Sequence, residues 1–96
     1  MGARWIKLDR MQRVPHIMVV DDHQQIRDSL SRFLEKNGMR VTTARDAHDM
    51  DLKRAAGKFD LFVLDVMMPG EDGLSVCRRL TAETETPIIL LTALSE

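Results

Sequence analysis

The chain has 96 residues, room for one small domain and not for two. Its 14 basic and 15 acidic residues leave a formal net charge of −1, which speaks against bulk electrostatic binding of nucleic acid. A single cysteine, Cys77, excludes an internal disulfide and fits a reducing compartment, and no apolar stretch approaches membrane-spanning length.

Residues 1–14 lack usable periodicity and read as an N-terminal extension, with Met11 a candidate initiator and a domain following at 15–96. The other reading of this stretch is a short helix docking Trp5 and Ile6 on a partner. The mixed, charged run from Met1 to Arg13 has no signal-peptide pattern, so a cytoplasmic location is expected.

After Pro15, His16 to Val20 is apolar on both faces and reads as a central strand, ending on Asp21-Asp22. From Gln24 to Asn37, Ile26, Leu30, Phe33 and Leu34 recur at helical spacing and predict an amphipathic helix stopped by Gly38. Arg40 to Thr43 is a shorter, more polar strand, expected at a sheet edge. Arg45 to Lys58 reads as a second helix of weak periodicity, with Ala47, Met50 and the stem of Arg54 toward the sheet. Lys53-Arg54 and Arg78-Arg79 read as solvated helix faces.

Leu61 to Leu64 is a second doubly apolar strand and ends on one carboxylate, Asp65. Pro69-Gly70 and Gly73 then break the chain and open a third helix marked by Leu74, Cys77 and Leu80. Pro87 to Thr92 is a fourth strand, apolar until its last residue. The order β-α-β-α-β-α-β implies an α/β fold: a doubly wound parallel sheet with right-handed crossovers. Parallel strands gather Asp21, Asp22, Asp65 and Thr92 at one sheet edge, the place where open α/β sheets put ligands.

Carboxylates gathered in this way repel one another, and a hard divalent cation removes the problem. Mg²⁺ takes few protein oxygens and keeps waters for phosphate. A carboxylate beside it can act as a nucleophile toward phosphorus, giving an acyl phosphate, and the Thr92 hydroxyl could bond a phosphoryl oxygen. Each residue also has a plainer reading. Asp21-Asp22 could make a turn or an N-cap, Asp65 could be a buried hydrogen-bonded carboxylate, and Thr92 a turn residue. His23 reads as an exposed helix-start histidine, because a hard cation prefers oxygen. His16 and His48 show no partner in sequence. Met67-Met68 reads as loop packing with one backbone carbonyl free to ligate, and Cys77 as core.

Val-Val-Asp-Asp at 19–22, Val-Leu-Asp at 63–65, Met-Pro-Gly at 68–70 and Leu-Thr-Ala at 91–93 resemble the receiver domain of bacterial two-component response regulators. The run from Met68 to Arg79 is similar to the OmpR group of winged-helix transcription regulators. The resemblance implies a flavodoxin-like fold with strand order 2-1-3-4. It implies Asp65 as phosphoacceptor, Thr92 as switch hydroxyl, and Mg²⁺ held by Asp22, Asp65 and the Met67 carbonyl, with Asp21 acting through water. The implied partner is a sensor histidine kinase, and the implied activity is self-catalysed phosphotransfer rather than enzymatic turnover.

The family's fifth strand, with its lysine, and its last two helices have no counterpart in these 96 residues. The chain is therefore expected to be a receiver shortened after the fourth strand, with DNA binding left to a domain it lacks. Its apolar Pro87–Ala93 edge is expected to pair or swap between two copies. The alternative function is a degenerate receiver that acts only as a dimerisation module, without phosphorylation. A haloacid-dehalogenase-like phosphatase is disfavoured, because Met67 stands where that group puts a second aspartate, and no glycine-rich phosphate loop is present.

Overall fold

Residues 13–92 are those that the computed structural model describes. Within them strand and helix alternate: β1 (His16–Val20), α1 (Gln24–Lys36), β2 (Arg40–Ala44), α2 (Ala47–Arg54), β3 (Leu61–Asp65), α3 (Gly73–Glu83) and β4 (Ile88–Leu91). The four strands form one sheet in the order β2-β1-β3-β4, and every pairing is parallel. This is the doubly wound parallel sheet expected from the alternation, in the flavodoxin-like strand order that the resemblance implies. Trp5 and Ile6 lie outside the described residues.

Strand alternation splits the core into two layers. Met18, Val20, Phe62 and Leu64 point to one face, where Ala47 and Met50 of α2 and Val76 and Leu80 of α3 close over them. Ile17, Val19 and Val63 point to the other, beneath Leu30 and Leu34 of α1. Met18, Val19, Val20, Leu64 and Met50 are fully buried. Each such side chain contributes roughly 1.5–3 kcal/mol relative to exposure. Continuous apolarity in β1 and β3 is thus the signature of strands covered on both sides.

Several boundaries follow from caps. α1 ends as its sequence predicts: Gly38 takes φ +87° and donates to the Glu35 carbonyl at 3.0 Å, while Met39 donates to Leu34 at 3.1 Å. α2 is shorter than the Arg45–Lys58 span expected of it. Arg45 and Asp46 serve as its cap, the Asp46 carboxylate accepting from the Asp49 N–H at 2.8 Å. At its other end the chain turns tightly, Ala56 bonding back to Lys53 and Gly57 to Arg54.

Other side chains depart from their sequence reading. Phe33 of α1 is 62% exposed and Ile26 42%, because no second described helix flanks α1 on that face. Arg79 is not a merely solvated cation. Its guanidinium makes paired bonds to Asp51 of α2, both 3.1 Å, and reaches Glu71 at 2.9 Å. Arg54 adds a 2.8 Å pair to Glu83, so α2 and α3 are tied by ions along their seam. His16, with no partner visible in sequence, bonds Thr42 at 2.7 Å and the Lys58 carbonyl at 2.9 Å, and its ring lies against Phe59.

Candidate functional site

Register decides what meets at the sheet edge. Val20 of β1 pairs with Leu64 of β3, so the residues that follow, Asp21 and Asp65, stand level with one another. Asp65 in turn pairs with Leu91 of β4, which sets Thr92 one step beyond it. These residues line a cleft of about 370 Å³ together with His23, Gln25, Ile26, Met67 and Leu91. Asp21, Asp65 and Thr92 therefore meet as the convergence of strand ends requires. Asp22 lies beside them, one carboxylate oxygen or ring nitrogen from each of Asp21, Asp22, His23 and Asp65 falling within 4.8 Å of the others.

Asp21 and Asp65 are buried, at 4% and 7% exposure, whereas Asp22 is partly open. Asp21 is a turn acceptor: its Oδ1 takes the His23 N–H at 2.8 Å, while its carbonyl takes Arg27 Nη1 at 2.8 Å. The first helical turn is therefore capped by no side chain, and His23 occupies the N-cap position. Arg27 was not singled out in the sequence. It lies four residues after His23, on the first turn of α1, and nothing local in the sequence announces the Asp21 carbonyl as its partner. Asp65 Oδ1 accepts the Met67 N–H at 3.0 Å, which folds the loop after β3 back over the carboxylate. Met68 is buried beneath that loop while Met67 is 69% exposed, so only one of the pair is packing.

The electrostatics are those of crowded acids. Burial pushes the Asp65 carboxyl above the usual range; the Met67 N–H opposes this, and the charges of Asp21 and Asp22 reinforce it. His23 is pushed above the ordinary imidazole value, first by its bond to Asp21 and then by the charge of Asp22. Asp22 Oδ1 is buried with no hydrogen-bond partner, although the His23 ring nitrogen lies 3.2 Å away. A buried carboxylate oxygen without a partner, beside two further carboxylates, fits a hard divalent cation.

Gly73 shapes the approach of α3. A Cβ at this position would overlap the Asp65 carbonyl oxygen and lie 2.8 Å from Val66 Cα. The helix start therefore packs directly on the end of β3, and the Gly73 N–H bonds the Val66 carbonyl at 3.1 Å. The sequence marked Gly73 as a break, whereas its role is close approach.

Residues 17–96 match the family described as response regulator receiver domain. PetR of Rhodobacter capsulatus is 51% identical over 82 residues, covering 85% of this chain and 35% of that protein. ResD of Bacillus subtilis, a transcriptional regulatory protein, is 41% identical over 80 residues, 83% of this chain and 33% of its own length. The chain spans about a third of the length of these curated relatives. The response regulator TrrA of Thermotoga maritima, solved in complex with Mg²⁺-BeF, superposes with a TM-score of 0.79 at 37% identity, covering 85% of this chain and 72% of that one.

Proposed function

The chain belongs to the response regulator receiver domain family, and from that premise we propose that Asp65 accepts a phosphoryl group from a phosphohistidine on a sensor histidine kinase, or from a small acyl phosphate. The observation that carries this reading is the meeting of Asp21, Asp22 and Asp65 in one cleft, with a buried Asp22 oxygen left unpaired.

On this reading Asp22, Asp65 and the Met67 carbonyl would hold Mg²⁺, Asp21 acting through water, and the bound ion would supply charge neutralisation at the phosphoryl oxygens. An Asp65 oxygen forms the new bond to phosphorus as the donor's P–N bond breaks, and the imidazole leaves with the electron pair. The Met67 N–H occupies Asp65 Oδ1 at 3.0 Å, which leaves Oδ2 as the attacking atom. Thr92, exposed at the end of β4, donates its hydroxyl to a phosphoryl oxygen and so reports the modification. The chain is consumed and regenerated as a phosphoacceptor rather than turning over a substrate. Domain limits of 1–14 and 15–96 fit this reading. Transcriptional output, as in a regulator like ResD, falls to a DNA-binding segment outside these residues. The intact acidic set disfavours a module that works without phosphorylation.

Incubation with acetyl phosphate and Mg²⁺, of this chain and of any longer protein that contains it, tests the assignment. One acid-stable, base-labile phosphoryl group is expected, mapped to Asp65 by mass spectrometry and lost in Asp65→Ala. Undiminished labelling of Asp65→Ala would sink it.

A further inference from the structure

The loop between β3 and α3 carries Met67 on one shoulder and Glu71 on the other, and the two shoulders are held differently. On the first, the Met67 N–H reaches Asp65 Oδ1 at 3.0 Å, and Met68 beside it is buried. Between the shoulders Gly70 takes φ +76°, and a Cβ there would meet nothing within 4 Å, so packing does not hold the bend. On the second shoulder a guanidinium does the holding. Arg79, on the second turn of α3, grips Glu71 through Nε at 3.1 Å and Nη2 at 2.9 Å. Its other edge makes two bonds of 3.1 Å to Asp51 of α2. One planar cation is thus gripped along two edges, and turning toward either carboxylate strains its bonds to the other. We propose that Arg79 is a positioning residue: by fixing Glu71 it holds the loop in the shape that keeps Met67 over Asp65, and so sets how fast Asp65 takes up a phosphoryl group. This rests on the reading of Asp65 as phosphoacceptor.

The loop is closed at its base, where the Gly73 N–H bonds the Val66 carbonyl at 3.1 Å. A shift at Glu71 is therefore carried back through Gly70 and the stiff Pro69 toward Met67 rather than spreading into α3. Single exposed ion pairs hold little, but a guanidinium forked onto two carboxylates has the fixed geometry that makes a pair count. The anchor is itself braced. Arg54 stands between Asp51, at 3.9 Å, and Glu83, at 2.8 Å, so opposite charges alternate along the seam from the end of α3 to the loop. A lysine at 79 would keep the charge and lose the fork.

Two measurements on the full chain test this: the rate of Asp65 labelling by acetyl phosphate with Mg²⁺, and hydrogen exchange at the Met67 amide followed by ¹⁵N NMR. Wild type is compared with Glu71→Gln, Arg79→Lys and Glu83→Gln. The last breaks the Arg54 pair on the same seam and touches no loop residue. Glu71→Gln and Arg79→Lys are expected to slow labelling by on the order of tenfold and to strip protection from the Met67 N–H, with circular dichroism showing both folded. Glu83→Gln should keep the wild-type rate and protection even where its melting temperature falls. Losses in Glu83→Gln equal to those in Glu71→Gln would mean that seam stability alone matters, and they overturn the inference. Unchanged Met67 exchange in Glu71→Gln does the same. Both results leave the phosphoacceptor reading standing while wild type is labelled at Asp65; a wild type that takes no label overturns both.

Discussion

Gly73 and Asp65 are eight residues apart in sequence and touch in space, and one constrains the other. A methyl group at Gly73 would run into the Asp65 carbonyl, which belongs to a sheet strand and cannot swing aside. Overpacking of this kind costs typically about 1–3 kcal/mol. Gly73→Ala is expected to lower stability by at least that much in urea unfolding and to displace the loop that carries Met67. A variant as stable as wild type would show that α3 can slide outward freely. At this scale the sequence was most legible where chemistry is strand-bound. Asp21, Asp22, Asp65 and Thr92 could be named because a parallel sheet aligns strand ends, whatever fills the space between. Arg79 and Arg27 could not, because a guanidinium's partner depends on how two helices or a turn happen to lie, and nothing local to Arg79 announces Asp51.

The helices show where local signals suffice. α2 carries a small hydrophobic face, Ala47 and Met50, and depends on its cap. Asp46→Ala removes the acceptor of the Asp49 N–H and is expected to destabilise by about 1 kcal/mol, read as a lower urea midpoint with unchanged slope. The same turn has a pH signature. Burial works to raise the Asp49 carboxyl, but bonds from Lys53 and the Arg45 N–H outweigh it and hold the group below its ordinary 3.8. At the start of α3 the Ser75 N–H likewise holds Asp72 below 3.8. A lowered native value means stability is fully present above 3.8 and is lost as pH falls through the native values. Asp49→Asn is therefore expected to flatten the acid limb of a pH series of thermal melts, and an unaltered limb would refute it. Caps and periodicity made α1 and α3 readable from the chain. The length of α2 was not readable, because its weak periodicity let charged residues on both flanks pass for helix.

Among the described residues, the two sheet edges differ in kind. β2 ends the sheet with Arg40, Thr42 and Thr43, while β4 ends it with Ile88, Ile89, Leu90 and Leu91, of which Ile89 is 49% exposed. A polar edge repels pairing with another chain, and an apolar one invites it. The sequence pointed to this asymmetry through the Pro87–Thr92 run, although it could not show which residue of that run faces outward. The register settles that: Ile88 and Leu90 pack against one core layer and Leu91 against the other, leaving Ile89 open. Two copies of this 96-residue chain are expected to associate along β4, visible in sedimentation velocity as a weight-average mass that rises with concentration. Ile89→Lys places a charge on that edge and removes no buried group, so it should return the chain to monomer without lowering its melting temperature. If the variant associates as strongly as wild type, contact is made elsewhere, and the exposed Phe33 of α1 is the next surface to substitute. Such pairing would run up to the acidic cleft, because Leu91 and Thr92 at the end of β4 form one of its walls while Asp21 and His23 form the wall on the β1 side.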